Sequence, residues 1–333
     1  MLNIRMWISA LFSSESTATQ TMTPLKHAGN RIKNFWRILS DKRYRGSRHY
    51  RLPLVTKRTP RDSFEHYLTT ATIVRDEARF LGEFVIFHKL AGVDHMLIYD
   101  DSSEDSIRAV LSPFIASGFV ELIPWPRFRL NRNNQFLAYQ HALAYMRGKS
   151  FWLAMMDCDE FLFSPTDTGV IIQLKRREMF SALGIYSRTF GTSGMEDIPT
   201  GGLILECLTQ RPRDECYKNN TQRTIVQPDF ATAVRSANTV VLSDVNHLGW
   251  DENGTPIWAT GEAGHSCDYL RINHYFTRAR NDFLRKVSRQ YFGKEKLQEK
   301  MLSKKYEADE MDSDNITDTL IQKHVPGVKR LLG

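Results

Sequence analysis

Between residues 67 and 156 short apolar runs alternate with amphipathic stretches, and no other feature constrains the fold as strongly. Tyr67-Leu68-Thr69-Thr70-Ala71-Thr72-Ile73-Val74 has the length and β-branched content of a buried strand. Residues 77–90 then place Phe80, Leu81, Phe84, Val85, Phe87 and His88 on one helical stripe. The same logic predicts strands at 95–99, 119–123 and 151–156, with helices at 104–117, where Gly118 ends the turn, and at 134–147. Strands that read as continuous apolar runs are covered on both faces, and strand–helix alternation favours a parallel sheet. The expected class is therefore α/β with a mostly parallel, Rossmann-like central sheet. Beyond Pro165 the pattern loosens. Short strands are expected at 181–187, 203–208, 224–226 and 239–242, then a helix from Arg278 to about Tyr291 and a highly charged one after it.

A parallel α/β sheet binds its ligands beyond the carboxyl ends of the strands. Three acidic groups fall there: Arg75-Asp76-Glu77 after the first strand, Asp100-Asp101 after the second and Asp157-Cys158-Asp159-Glu160 after the fourth. Carboxylates gathered at one edge repel each other unless a cation or a donor-rich ligand sits among them. Asp157 and Asp159 are two residues apart and point the same way on an extended chain, with Cys158 turned towards the core. Two such oxygens suit Mg²⁺ or Mn²⁺, which share their shells with waters and substrate phosphates. Asp100-Asp101 admits two readings, a contact to a nucleoside or a cap for the following helix. His88, on the apolar face of the first helix, is expected to be a hydrogen-bonded core residue.

The runs Ile73-Val74-Arg75-Asp76-Glu77-Ala78-Arg79-Phe80-Leu81, Ile98-Tyr99-Asp100-Asp101-Ser102-Ser103 and Met156-Asp157-Cys158-Asp159-Glu160-Phe161-Leu162 resemble glycosyltransferase family 92 and its relatives in family 2. Downstream, Phe190-Gly191-Thr192-Ser193-Gly194, Arg223-Thr224-Ile225-Val226-Gln227-Pro228, Val245-Asn246-His247 and Ile272-Asn273-His274-Tyr275 with Lys286 follow in the family's order. The likeness spans roughly residues 66–290. It implies a GT-A type fold, a UDP-sugar donor, Mn²⁺ or Mg²⁺, inversion at the sugar carbon, and a glycan or glycolipid acceptor, with galactose the first choice of hexose. Carried over by residue, it sets Arg75, Glu77, Asp100 and Asp101 near the nucleotide and Asp157, Asp159 and His247 on the metal. Glu160, His274 and Lys286 would then touch substrate or diphosphate. Glu196-Asp197 looks like the acidic pair of inverting GT-A enzymes, with Asp197 the first choice of base and Glu196 the second. The sequence departs from the pattern at Met195, where the family often has histidine, at Gln227, which replaces a basic residue, and at Asn246.

Charge divides the chain. Residues 1–61 carry thirteen Lys or Arg against Glu15 and Asp41, a net of +11, so the overall +7 leaves −4 for the rest. Such an arm suits an anionic surface, and a peripheral membrane contact through it is expected, with no nucleic acid. The apolar run 6–12 is too short to span a bilayer, which needs about 20 residues, and a cytoplasmic location is expected. The resulting organisation is a basic arm (1–61), poorly ordered or membrane-associated, a GT-A domain (62–293) and a charged helical tail (294–333). Two other functions compete. A nucleotidyltransferase would carry a glycine-rich loop after the first strand, where Arg75-Asp76-Glu77-Ala78-Arg79 stands instead. A tethering protein would have no use for both Asp157 and Asp159.

Overall fold

The computed structural model describes residues 52–53, 55, 59–125, 134–216, 219, 221–236, 239–242, 249–256, 266–291, 299, 303, 306, 309 and 311–333. The chain divides into two units, Met1–Arg48 and His49–Gly333, and the first, with most of the basic arm, lies outside the described residues. Within the second unit the elements run β1 (His66–Val74), α1 (Ala78–Leu90), β2 (His95–Asp100), α2 (Ile107–Ala116), β3 (Val120–Pro124), α3 (Asn134–Met146), β4 (Ser150–Met155) and β5 (Glu160–Phe163). There follow α4 (Gly169–Lys175), β6 (Ala182–Thr189), α5 (Ile204–Cys207), β7 (Gln210–Pro212), β8 (Gln222–Val226), β9 (Ala231–Ser236), β10 (Thr239–Leu242) and β11 (Arg271–His274). The described chain closes with α6 (Arg280–Tyr291), β12 (Asn315–Thr317) and α7 (Val325–Leu332).

An eight-stranded sheet in the order β3-β2-β1-β4-β8-β6-β11-β5 forms the centre. β3, β2, β1 and β4 are parallel neighbours, as are β6 and β11, while β8 runs antiparallel between β4 and β6 and β5 antiparallel to β11. This is the α/β, mostly parallel, Rossmann-like architecture expected from the sequence. Every residue of β4 is buried, which explains its uninterrupted apolar run, and Trp152 at its middle is fully enclosed. His88 is fully buried as well. Its Nδ1 faces the Phe84 carbonyl at 2.9 Å and its Nε2 accepts the Leu162 N–H at 3.2 Å. Burial pushes its pKa down to about 4, so it serves as a neutral link between α1 and β5.

Register brings the acidic groups together. Val74 of β1 pairs with Asp100 of β2 and Ala71 with Met155 of β4. The Asp101 N–H then reaches the Val74 carbonyl at 2.9 Å and the Met156 N–H the Ala71 carbonyl at 3.1 Å. Three loops therefore leave the sheet side by side.

Two expectations are corrected. Residues 203–208 were expected as a strand, but 204–207 form the short helix α5, because the buried Glu83 carboxylate of α1 accepts the Ile204 and Leu205 N–H groups, both at 2.9 Å. The tail proposed for 294–333 is not set apart. β12 pairs with β7, and Asp318 accepts from both Arg211 and Arg271 at 2.6 Å. Val325 and Val328 of α7 join the core that α1 lines. Arg211 and Arg271 are buried, and a buried guanidinium left without a carboxylate costs several kcal/mol, on the order of 3–5. That anchors the segment. Among the described residues no helix is long and apolar enough to cross a membrane.

Candidate active site

The β1 and β2 loops are stitched to each other. Asp76 adopts φ 53°, and its Oδ1 accepts the Glu104 N–H at 2.7 Å. Its own N–H donates to Ser103 Oγ at 3.1 Å, and Asp105 Oδ2 takes the Ala78 N–H at 2.7 Å. Asp100 Oδ1 accepts the Ser103 N–H at 2.8 Å, closing the turn before α2. This bond closes a turn and is not the helix cap that was one reading of Asp100-Asp101, since the N-cap of α2 is Ser106 with no side-chain cap bond. Arg75 Nε lies 3.7 Å from Asp76 Oδ2. Asp101 is buried and accepts from Asn134 Nδ2 at 2.5 Å. Glu77 is also buried, and its Oε2 takes a 2.5 Å bond from Arg278 Nη1.

Beyond β4 the two aspartates sit in different surroundings. Asp157 keeps 31% of its side chain exposed. Its Oδ1 accepts from Gln135 Nε2 and from Tyr139 OH at 3.3 Å, and its Oδ2 from Arg223 Nη2 at 2.6 Å. The same guanidinium donates through Nε to Glu160 at 2.6 and 2.7 Å. Asp159 is only 2% exposed. Lys286 Nζ lies 2.6 Å from its Oδ2, and His274 Nε2 lies 3.5 Å from its Oδ1. That Oδ1 is buried without a hydrogen bond. Burial alone would raise the Asp159 carboxyl, but Lys286 and then His274 hold it well below the usual carboxylate range. Glu160 goes the other way, burial raising it in spite of Arg223. Cys158 is turned into the core as expected, where burial pushes its thiol up and Arg278 Nη2 lies 3.5 Å from Sγ.

The donor set fits a hard divalent ion in part. Asp157 and Asp159 offer oxygen ligands, one of them an unbonded buried oxygen, and leave the rest of a shell to water and phosphate. Among the described residues no group of three or more His, Cys, Asp or Glu is assembled for a metal. His247 lies outside the described residues.

A cleft of about 610 Å³ opens beside this rim, lined by Asp76, Arg79, Phe80, Asp197, Arg278, Asp282, Arg285 and Ser288. Asp197 faces it with 52% of its side chain exposed and is held by Asn281 Nδ2 at 2.6 Å, with Arg285 at 3.5 Å. Glu196 is more exposed, pairs with Arg280 at 3.2 Å and does not line the cleft. Asp157 and Asp159 do not line it either. Gln227, where the resemblance expects a basic residue, donates to the Glu178 and Phe180 carbonyls at 2.8 and 2.9 Å, so its amide braces a loop.

Arg278, Gln135 and Tyr139 were not singled out from the sequence, and Arg223 stood there only as the first residue of a family run, although all four set the charge and direction of the carboxylates. One local signal existed. Gln135 and Tyr139 are one helical turn apart, and the buried stripe of α3 continues through Gln140 and His141, polar residues that only a partner inside the fold would keep there.

The glycosyltransferase family 92 model matches residues 66–235. A glycosyltransferase family 92 protein of Ricinus communis is 25% identical over 253 residues, covering 72% of this chain and 43% of the relative. One of Oryza sativa subsp. japonica is 28% identical over 214 residues, covering 63% of this chain and 33% of the relative. The chain thus spans less than half the length of the curated relatives it matches. Among solved structures, TarS 1–349 of S. aureus aligns with a TM-score of 0.35 and 10% identity over 73% of this chain and 71% of that one. With just over half of its residues inside that family model, the chain belongs to glycosyltransferase family 92.

Proposed function

We propose that the chain is a metal-dependent, inverting glycosyltransferase that moves a hexose, galactose first, from a UDP-sugar to a glycan or glycolipid acceptor. The observation that carries this is Asp159, a buried carboxylate beyond the central strand with one oxygen unbonded, next to the accessible Asp157. These two residues would hold the ion, with His247 the expected third ligand. Bound Mn²⁺ or Mg²⁺ neutralises the diphosphate as it leaves. Lys286 and His274, both against Asp159, stand where a diphosphate oxygen would meet them, and Glu160 steadies Arg223. Arg75, Glu77, Asp100 and Asp101 are the proposed nucleoside contacts, with Glu77 oriented by Arg278, Asp100 by the Ser103 turn and Asp101 by Asn134.

Asp197 is the proposed base. It takes the proton of the acceptor hydroxyl as that oxygen bonds to the sugar carbon and the bond from that carbon to the diphosphate oxygen breaks, releasing UDP. Asn281 and Arg285 hold its carboxylate at the cleft. Glu196, paired with Arg280, is second.

A panel of UDP-sugars with Mn²⁺, read by UDP release and thermal stabilisation, tests the reading. One UDP-hexose is expected to turn over and to stop on addition of EDTA. A panel with neither turnover nor stabilisation overturns the proposal, and turnover indifferent to EDTA overturns its metal part. Asp197→Asn is expected to lower turnover by about a hundredfold or more while UDP affinity stays within about twofold. Loss of UDP binding as well would give Asp197 a structural role.

A further inference from the structure

The glycine loop before Asp197 has a neighbour that the sequence did not indicate. Thr192 donates its N–H to Asp312 Oδ1 at 2.9 Å and its hydroxyl to Asp312 Oδ2. The same hydroxyl oxygen accepts the Gly194 N–H at 3.2 Å, so one carboxylate sets the turn through a single side chain. A β-carbon on Gly191 would collide with the Asp312 carboxylate and press on the Met311 carbonyl at 3.3 Å. Gly191 itself has no left-handed φ; the glycine is required by the approach of the C-terminal segment. Ser193 does adopt φ 55°, and its Oγ accepts the Thr209 and Gln210 N–H groups at 3.0 and 2.9 Å.

The same segment grips the other side of the loop. Arg280, at the start of α6, bonds Asp309 at 2.7 Å and Glu196 at 3.2 Å. The Arg280 and Asn281 N–H groups donate to the Met195 and Glu196 carbonyls at 3.0 and 2.9 Å. Met311 is buried between these contacts, and the β12–β7 pairing and the Asp318 ion pairs tie the segment down on its far side.

The geometry points to Asp312 as a positioning residue for the acceptor side. Through Thr192 it fixes the turn 192–195, and that turn sets Glu196 and Asp197 against the first residues of α6. Asp309 and residues 311–318 thus form a clasp supplied from beyond residues 66–235. The inference rests on the role proposed for Asp197. Reactivity that depends on an aligned carboxylate falls steeply when the carboxylate is misplaced by an ångström, whereas donor binding at the metal rim does not sense the turn.

The test uses the full chain with Asp312→Ala and Asp312→Asn. Asparagine keeps an acceptor for the Thr192 N–H and a polar partner for its hydroxyl, so it is the rescue variant and the safeguard if alanine folds poorly. Hydrogen exchange is read at the 192–197 amides, with 66–74 and 150–155 as internal controls. Turnover is read as UDP release from the UDP-hexose found in the panel. For Asp312→Ala, exchange at 192–197 is expected to rise about tenfold or more with the controls unchanged. kcat is expected to fall about tenfold while KM for the donor stays within about twofold, and Asp312→Asn to restore most of both. Unchanged exchange at 192–197 overturns the proposal. So does exchange that rises equally in the controls, or a kcat loss matched by a rise in donor KM. If Asp197→Asn keeps full activity while Asp312→Ala shows the local exchange and the kcat loss, the clasp stands and the choice of base fails.

Discussion

Asp159→Asn is expected to reduce metal-dependent turnover on the order of a thousandfold and to remove Mn²⁺-dependent stabilisation by UDP. An amide keeps the shape of the carboxylate but lacks the charge that holds a hard cation, and the Asp159 oxygen that lacks a hydrogen bond is the one most available to such an ion. The variant should remain folded. Lys286, whose partner is lost, keeps 40% of its side chain exposed, so water takes up the ammonium and the fold bears little of the loss. Asp157→Asn is expected to act in the same direction, and the double variant to be indifferent to Mn²⁺. UDP release and thermal shift, with and without EDTA, give the comparison. A double variant that UDP and Mn²⁺ protect as well as they protect the parent would mean that this pair does not hold the ion.

Arg278→Met is expected to have the largest effect on stability, about 3–5 kcal/mol. The guanidinium is buried, bonds Glu77 Oε2 at 2.5 Å, lies 3.5 Å from Cys158 Sγ and stacks 4.6 Å over the Phe80 ring. Methionine fills much of the volume but leaves the Glu77 carboxylate buried without a cation, and that residual charge is the source of the loss. Adding Glu77→Gln should therefore recover a large part of it. Urea unfolding of the parent, both single variants and the double variant measures this coupling directly. A cost for Arg278→Met below about 1 kcal/mol, or no recovery in the double variant, would show that water reaches the pair and carries its charge.

The parallel half of the fold was legible because strands covered on both faces leave apolar or β-branched runs, as β4 does from Phe151 to Met155 and β1 does with its threonines, Ile73 and Val74. Its acidic loops were legible for the same reason, since each follows directly on such a run. Elements stabilised by distant partners were not. α5 begins where Glu83 supplies its acceptors from 121 residues earlier, and its own residues, Ile204-Leu205-Glu206-Cys207, carry no capping signal. What anchors the stretch read as a charged helical tail was not legible, because the cations that fix Asp318 lie on β7 and β11. Two cations of the site were hidden in the same way, whereas Lys286 was read from the resemblance. Arg223 lies 66 residues from Asp157, and Arg278 lies 201 residues from Glu77, distances across which a single sequence carries no pattern.

The rim of carboxylates has a divided inheritance. Its acids stand on strands and loops within residues 66–235, but Lys286 and His274, which flank Asp159, and Arg278, which neutralises Glu77, come from later in the chain. On the proposed function the acids would set where a cation and a diphosphate sit, and the later cations how strongly that place is already neutralised. Changes confined to the last third of such a chain are therefore expected to alter how far the rim is neutralised while every acid of it stays unaltered.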